Sequence, residues 1–259
     1  MRTPIDPRYF FIKYSLEFFI VVLGISVSFW LSEWNEDREL LLFNIEDTFD
    51  LLEDLRNDEE RLEMIVTQID EGMMNTERLL INVELYRDNS INYNVLSDSL
   101  VDIGYVYEYG TFFMNNSTYK SLLQNDRLHY FPDEIEKNMK DYYEYVSKRV
   151  EDNNRLVDDI TANYYNKHHP LCLRSRIKEL PITQAEELKL FEKDDMRENY
   201  TSIDFYKASM SLRSRINMHR AQVKQYMNMR NNVDSLLCRH VGLDALMLLA
   251  LDAGNNKPS

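Results

Sequence analysis

Residues 9–34 read YFFIKYSLEFFIVVLGISVSFWLSEW, and the chain then turns abruptly acidic with NEDRE. Within that stretch, residues 18–31 are uninterrupted apolar or small residues. At about 1.5 Å per residue they fall short of the roughly 20 residues that cross a bilayer. A full crossing therefore takes in residues 9–12 and, with them, Lys13 and Glu17. These two stand at i and i+4, where a cation and a carboxylate pair along one helix face. Lys13 lies near enough to the end to reach lipid headgroups. Tyr9 and Trp34 occupy interfacial positions, with Trp30 one turn inside. The spacing predicts a single transmembrane helix. A cleaved signal peptide fits less well, because the run is long and aromatic-rich and is followed by SEWNEDRE rather than a small-residue cleavage site.

Arg2, Arg8 and Lys13 precede the span, whereas Arg38 is the one basic residue in the twenty that follow Trp34. The positive-inside tendency places the N-terminus in the cytoplasm and the following domain outside it, which in a bacterium with two membranes is the periplasm. The expected layout is a cytoplasmic N-terminus at 1–8, a transmembrane helix at 9–34, an extracytoplasmic helical bundle at 35–253 and a disordered tail at 254–259. Glu17 has two readings. It is an intramembrane carboxylate with a functional role, or it is an interfacial one neutralised by Lys13.

A formal net charge of −14 excludes a nucleic-acid surface, which needs a basic face. It also disfavours a domain lying flat on anionic lipid. With six Gly and six Pro in 259 residues, the chain is expected to be helical nearly throughout. The fold class is all-α: a transmembrane helix continuing into an antiparallel, coiled-coil-like bundle of long helices.

Alternating steps of four and three from Leu41 reach Ile45, Thr48, Leu52, Leu55, Glu59, Leu62, Val66, Ile69, Met73, Thr76, Leu80 and Val83. All but Thr48, Glu59 and Thr76 are aliphatic or Met, a heptad seam. Asp47, Asp50, Glu53, Asp54, Asp58 and Glu60 are expected on a solvated face. After a turn at 88–92 a second helix is predicted over 95–109, ending near Gly110. An irregular stretch follows, with a short helix at 117–124 capped by Ser117 or Thr118. Pro132 opens a helix running to about Asn166, and Thr183 with Glu186 forms a capping box for a shorter one ending near Asp194. The last long helix covers 202–240 with its seam at Phe205, Ala208, Leu212, Ile216, His219, Val223, Tyr226, Arg230, Val233 and Leu237. It is the one basic element and the natural neighbour of the acidic first helix. Glu59 and Arg230 both interrupt apolar seams, so Glu59 is expected to face Arg230 or His219. Beyond Gly242 a short apolar piece, LDALMLLALDA, is expected to pack on the bundle.

Two segments resemble an uncharacterised family of bacterial single-span membrane proteins, a domain of unknown function. The first is Glu17 within its apolar run, closed by Trp34, Asn35, Glu36 and Arg38. The second carries Tyr119, Leu122, Leu128, Tyr142 and Tyr143, with Asn125-Asp126 a partial match. The resemblance implies the single-span topology and carries no activity.

His168, His169, Cys172, Cys238 and His240 are weak zinc candidates, since HHxxC and CxH are not paired ligand motifs. Cys172 and Cys238 are a possible disulfide in an oxidising compartment and thiols otherwise. There is no phosphate loop, GxSxG or HExxH, so no catalytic residue and no cofactor is implied. Tyr107, Tyr109, Phe112 and Phe113 cluster where the chain is least regular, either lining a partner surface or capping the core. Asn116-Ser-Thr matches a glycosylation acceptor, relevant only in a eukaryotic secretory route.

The reading that follows is a membrane-anchored, non-enzymatic accessory or scaffold protein of an envelope complex. Its partners are the lipid bilayer and either an envelope protein or a second copy of itself. An ion-coupled subunit using Glu17 and a ligand-binding, sensor-like ectodomain are the alternatives.

Overall fold

The computed structural model describes the backbone of residues 7–107, 110–172 and 193–255, and of these the side chains from 14 to 249. Every regular element among the described residues is helical. These are α1 (Pro7–Arg87), α2 (Tyr93–Ile103), α3 (Ser117–Gln124), a 3₁₀ turn (Leu128–Tyr130), α4 (Asp133–Lys140), a π-helical segment (Asp141–Val146), α5 (Ser147–Lys167), α6 (Arg197–Thr201) and α7 (Ile203–Asn255). The capping box at Thr183 and Glu186 lies outside the described residues. The chain divides into two compact units, one drawn from Met1–Asp50 and Leu237–Ser259, the other Leu51–Leu236.

In the first unit, α1 is the one helix among the described residues long and apolar enough to cross a membrane. Its side chains from Tyr14 to Leu31, Glu17 included, are exposed. The helix does not stop at the end of the apolar run, as expected for a sequence without Pro or a capping Gly there. The other part of this unit corrects the sequence reading. α7 passes straight through Gly242, where nothing lies within 4 Å of an added Cβ. The apolar piece beyond it is not buried: Leu243, Leu246, Met247 and Leu249 stay exposed while Asp244 is turned inward.

The second unit is the bundle. α1 and α7 run antiparallel in it, pairing Glu59 with Arg230, Asp70 with Arg220, Glu77 with Arg213 and Glu84 with Tyr206. The acidic and basic helices are thus neighbours. The α7 seam is buried at every expected position within this unit except half-buried Ala208. The α1 seam is turned. The buried positions are Leu51, Asp54, Leu55, Asp58, Leu62, Ile65, Ile69, Gly72, Thr76, Leu79, Leu80 and Val83. Leu55, Leu62, Ile69, Thr76, Leu80 and Val83 are expected heptad positions, while Leu51, Asp58, Ile65, Gly72 and Leu79 sit one residue earlier than expected ones. The shift follows from Asp58 and Gly72, which do not look like core residues yet pack inward. Asp47, Asp54 and Asp58 are accordingly buried, whereas Asp50, Glu53 and Glu60 are exposed.

α2 is shorter than the sequence predicts. Asn92 caps it through Val95 N (3.1 Å), and Gly104 at φ 62° ends it by donating to Leu100 O. The helix opened by Pro132 widens into a π segment at 141–146, which turns Tyr142, Tyr143 and Val146 inward together. Ser202 caps α7 by accepting from Phe205 N (3.0 Å).

Candidate functional site

Between α2 and α3, residues 104–107 and 110–116 run irregularly through the bundle, and an irregular backbone in a core needs partners for its N–H and C=O groups. Side chains from the surrounding helices supply them. His169 Nε2–H donates to Gly104 O (3.0 Å), and Tyr165 both receives Tyr107 N–H (2.8 Å) and donates to Tyr107 O (2.6 Å). His219 Nε2–H donates to Gly110 O (2.7 Å). Asn154 brackets Phe112, accepting from its N–H (3.3 Å) and donating to its C=O (2.8 Å). Arg61 donates to Phe113 O (3.1 Å).

The segment ends at two buried carboxylates of α1. Asp58 accepts from Asn115 N–H (2.9 Å) and from the Tyr142 hydroxyl (3.0 Å). Asp54, one turn earlier, accepts from Asn115 Nδ2 (2.5 Å), Thr118 N–H (3.1 Å) and Ser117 Oγ (3.3 Å). Asp54 therefore caps α3 from another helix, in place of the local Ser117 or Thr118 cap. Burial pushes the Asp58 carboxyl up to about 6. Its hydrogen bonds to Asn115 and Tyr142 and the nearby Arg61 guanidinium oppose that rise, and Asp54 adds to it. Tyr143, from the same π turn as Tyr142, stacks on Tyr119 (4.6 Å, 13°), and its buried hydroxyl has no hydrogen-bond partner among the described residues. Tyr119 donates to Glu144 (2.7 Å). This is a carboxylate–tyrosine centre able to hold a proton at Asp58.

Beside it, Arg230 is buried, with Nη2 3.0 Å from Glu59 Oε2 and Nε donating to Leu55 O (2.9 Å). Of the two partners expected for Glu59, Arg230 is the one it meets. His219 instead faces Asn153, whose Nδ2 reaches its Nδ1. With Nε2–H committed to Gly110, Nδ1 is the acceptor, and burial lowers the pKa of the ring, consistent with this neutral form. Tyr107 lies against α1 at Gly72, where an added Cβ would stand 2.6 Å from its ring.

The zinc candidates are not brought together. His169 is fully buried and spends both ring nitrogens on Gly104 O and the Tyr200 hydroxyl, and burial lowers its pKa to about 4. His168, the C-cap of α5, is half-buried, and Cys172, five residues past the end of that helix, is buried. His240 meets Asp244 (3.3 Å), and Cys238 is exposed. Among the described residues no group of three His, Cys, Asp or Glu could hold a metal ion. Both cysteines are thiols, so the possible Cys172–Cys238 disulfide is not formed. The Lys13 side chain and Tyr109 lie outside what is described. Phe112 is core and Phe113 is exposed, which divides the aromatic cluster between the two roles considered for it.

Sequence reasoning missed Asp54, Asp58 and Asn115. One signal was present: Asp54 and Asp58 are spaced i, i+4, on the face that carries Leu51, Leu62 and Ile65. No protein-family model, curated protein or solved structure matches this chain.

Proposed function

We propose that the chain is a membrane-anchored helical accessory or scaffolding protein of a bacterial envelope complex, acting through protein contacts. It would sit in the inner membrane as a single-pass protein with its N-terminus inside and its bundle in the periplasm. One observation carries this reading: the exposed apolar surface of α1 does not end with the span. Leu40, Leu42, Phe43 and Phe49 stay exposed in the acidic stretch that follows. Clustered apolar exposure on a soluble surface marks a contact site. Several buried polar groups of the bundle, His169, Tyr165, His219, Asn154, Asp54 and Asp58 among them, are spent on holding residues 104–107 and 110–118 in place. That supports a rigid binding body more than a reacting cleft.

The test is extraction of the tagged full-length protein from its own membranes in mild detergent, followed by particle mass and identification of what co-purifies. A stoichiometric envelope protein is the expected result. A multi-span partner would direct attention to Glu17, which lies exposed on the span where a neighbouring helix could meet it. A particle containing this chain alone, at the mass of one copy, would overturn the reading.

A further inference from the structure

Asp54 and Asp58 stand one turn apart on α1 and are 7% and 0% exposed. Asn115 bridges them, donating its N–H to Asp58 (2.9 Å) and its Nδ2–H to Asp54 (2.5 Å). Two carboxylates within the span of one asparagine repel each other when both are ionised, the more so where water is excluded. The guanidiniums near them are engaged elsewhere. Arg61 is exposed and donates to Phe113 O, and Arg230, which faces Tyr142 and Tyr143 from α7, is paired with Glu59 and Asp234. The π segment adds neutral groups: Tyr142 donates to Asp58 (3.0 Å), and the Tyr143 ring stacks on Tyr119. With the site closed, one proton on the pair removes the repulsion.

The same two acids fasten residues 115–118 to α1. Besides Asn115, Asp54 accepts from Thr118 N–H and Ser117 Oγ. Just before them, Asn154 holds Phe112 and Arg61 holds Phe113. A short irregular segment held by side-chain bonds opens at lower cost than the helices around it. Phe112 is fully buried and Phe113 is 70% exposed, so lifting the segment would place two adjacent aromatic rings at the surface.

We propose that Asp54 and Asp58 are a proton-operated latch on residues 112–118. A proton at Asp58 keeps the segment down on α1, and its loss lets the segment lift while the helices stay packed. Phe112 then joins Phe113 as an aromatic contact surface. Opening admits water to Asp58, whose carboxyl is pushed up to about 6 by burial in the closed form and falls back toward 3.8 in the open one. The closed form binds the proton more tightly, so closure is favoured in acid and weakens as pH rises through about 6. Between pH 5 and pH 8 the open fraction should grow roughly tenfold.

Amide hydrogen exchange of the full-length protein in detergent at pH 5 and pH 8 tests the latch, each rate taken relative to that of a free amide at the same pH. The amides of Asn115 and Thr118 are the reporters, and those of Leu212 and Val223, inside α7, report opening of the bundle. Expected is about tenfold less protection of Asn115 and Thr118 at pH 8 than at pH 5, with Leu212 and Val223 far better protected at both. Asp58→Asn should remove the pH dependence. Equal protection at the two pH values in the parent overturns the proposal. So does exchange of all four amides at one rate, which assigns the effect to unfolding of the whole bundle. A pH dependence that survives in Asp58→Asn overturns it as well and assigns the effect to His219, which holds Gly110 O. If Asp58→Asn does not fold, a pH series on Tyr142→Phe decides. Without that bond to the charged form, the loss of protection should continue to higher pH than in the parent, and an unmoved upper limit overturns the proposal.

Discussion

Asp58 is a carboxylate enclosed by core side chains, facing Asp54 and Arg61 from its own helix, Tyr142 and Tyr143 from the π turn and Asn115 from the threaded segment. Two hydrogen bonds do not offset its burial, and its pKa rises from 3.8 to about 6 in the folded state. The folded protein therefore holds this proton more tightly than the unfolded chain. The resulting stability is fully present below about pH 4 and is lost as pH rises through about 6, a difference on the order of 2–3 kcal/mol. Asp58→Asn keeps the shape, and the Tyr142 hydroxyl can turn to accept. We expect the variant to be more stable than the parent at pH 8 by on the order of 1–2 kcal/mol, with the gain shrinking toward pH 4. Urea unfolding of parent and variant at matched pH measures this. The comparison at each pH also cancels His169, whose lowered pKa works in the opposite sense. A less stable variant at pH 8 would mean that the bonds from Asn115 and Tyr142 outweigh the burial.

Between elements, Tyr107 packs tightly on α1 at Gly72. Gly72 is there because nothing larger fits: a methyl would stand 2.6 Å from Tyr107 Cδ2, and Tyr107 is pinned by Tyr165 on both sides of its own peptide group. Gly72→Ala should lose about 1–3 kcal/mol of stability to overpacking, more than the roughly 1 kcal/mol alanine gains in a helix interior. Gly242→Ala, with open space around it, should gain or stay neutral. Thermal unfolding of the two variants in detergent should shift in opposite directions, and a stable Gly72→Ala would show that Tyr107 can move. The same pair shows what the sequence does and does not reveal. α7 was legible because most of its core side chains are apolar and evenly spaced, with His219 and Arg230 as the polar exceptions. α1 was half legible, because a missing side chain and an acid hold two of its core places. Neither residue type reports burial when read alone.

At the scale of the molecule, an all-α fold with one long N-terminal helix was legible from composition, from the apolar run and from the antiparallel charge match of α1 with α7. The threaded segment was not. Its partners His169, Asn154, His219 and Asp58 come from three helices and carry no local pattern that points to residues 104–116. The two cysteines offer a readout of the whole. Cys238 is exposed and Cys172 is buried, so a thiol reagent added to native membranes should modify Cys238 rapidly. Cys172 should react only when the bundle unfolds in denaturant. Equal rates without denaturant would show that the turn after α5, around Cys172, opens on its own.

The threaded segment also sets an order in time. Gly110 O is held by His219, 109 residues later, and Leu55 O by Arg230, 175 residues later. A helical bundle ordinarily assembles quickly from local contacts, whereas closures this distant in sequence slow folding. Residues 104–118 cannot be enclosed until α7 has emerged and turned back along α1. Until then Gly110 O and Leu55 O wait without the side chains that hold them. For this chain, folding is completed from its C-terminal end.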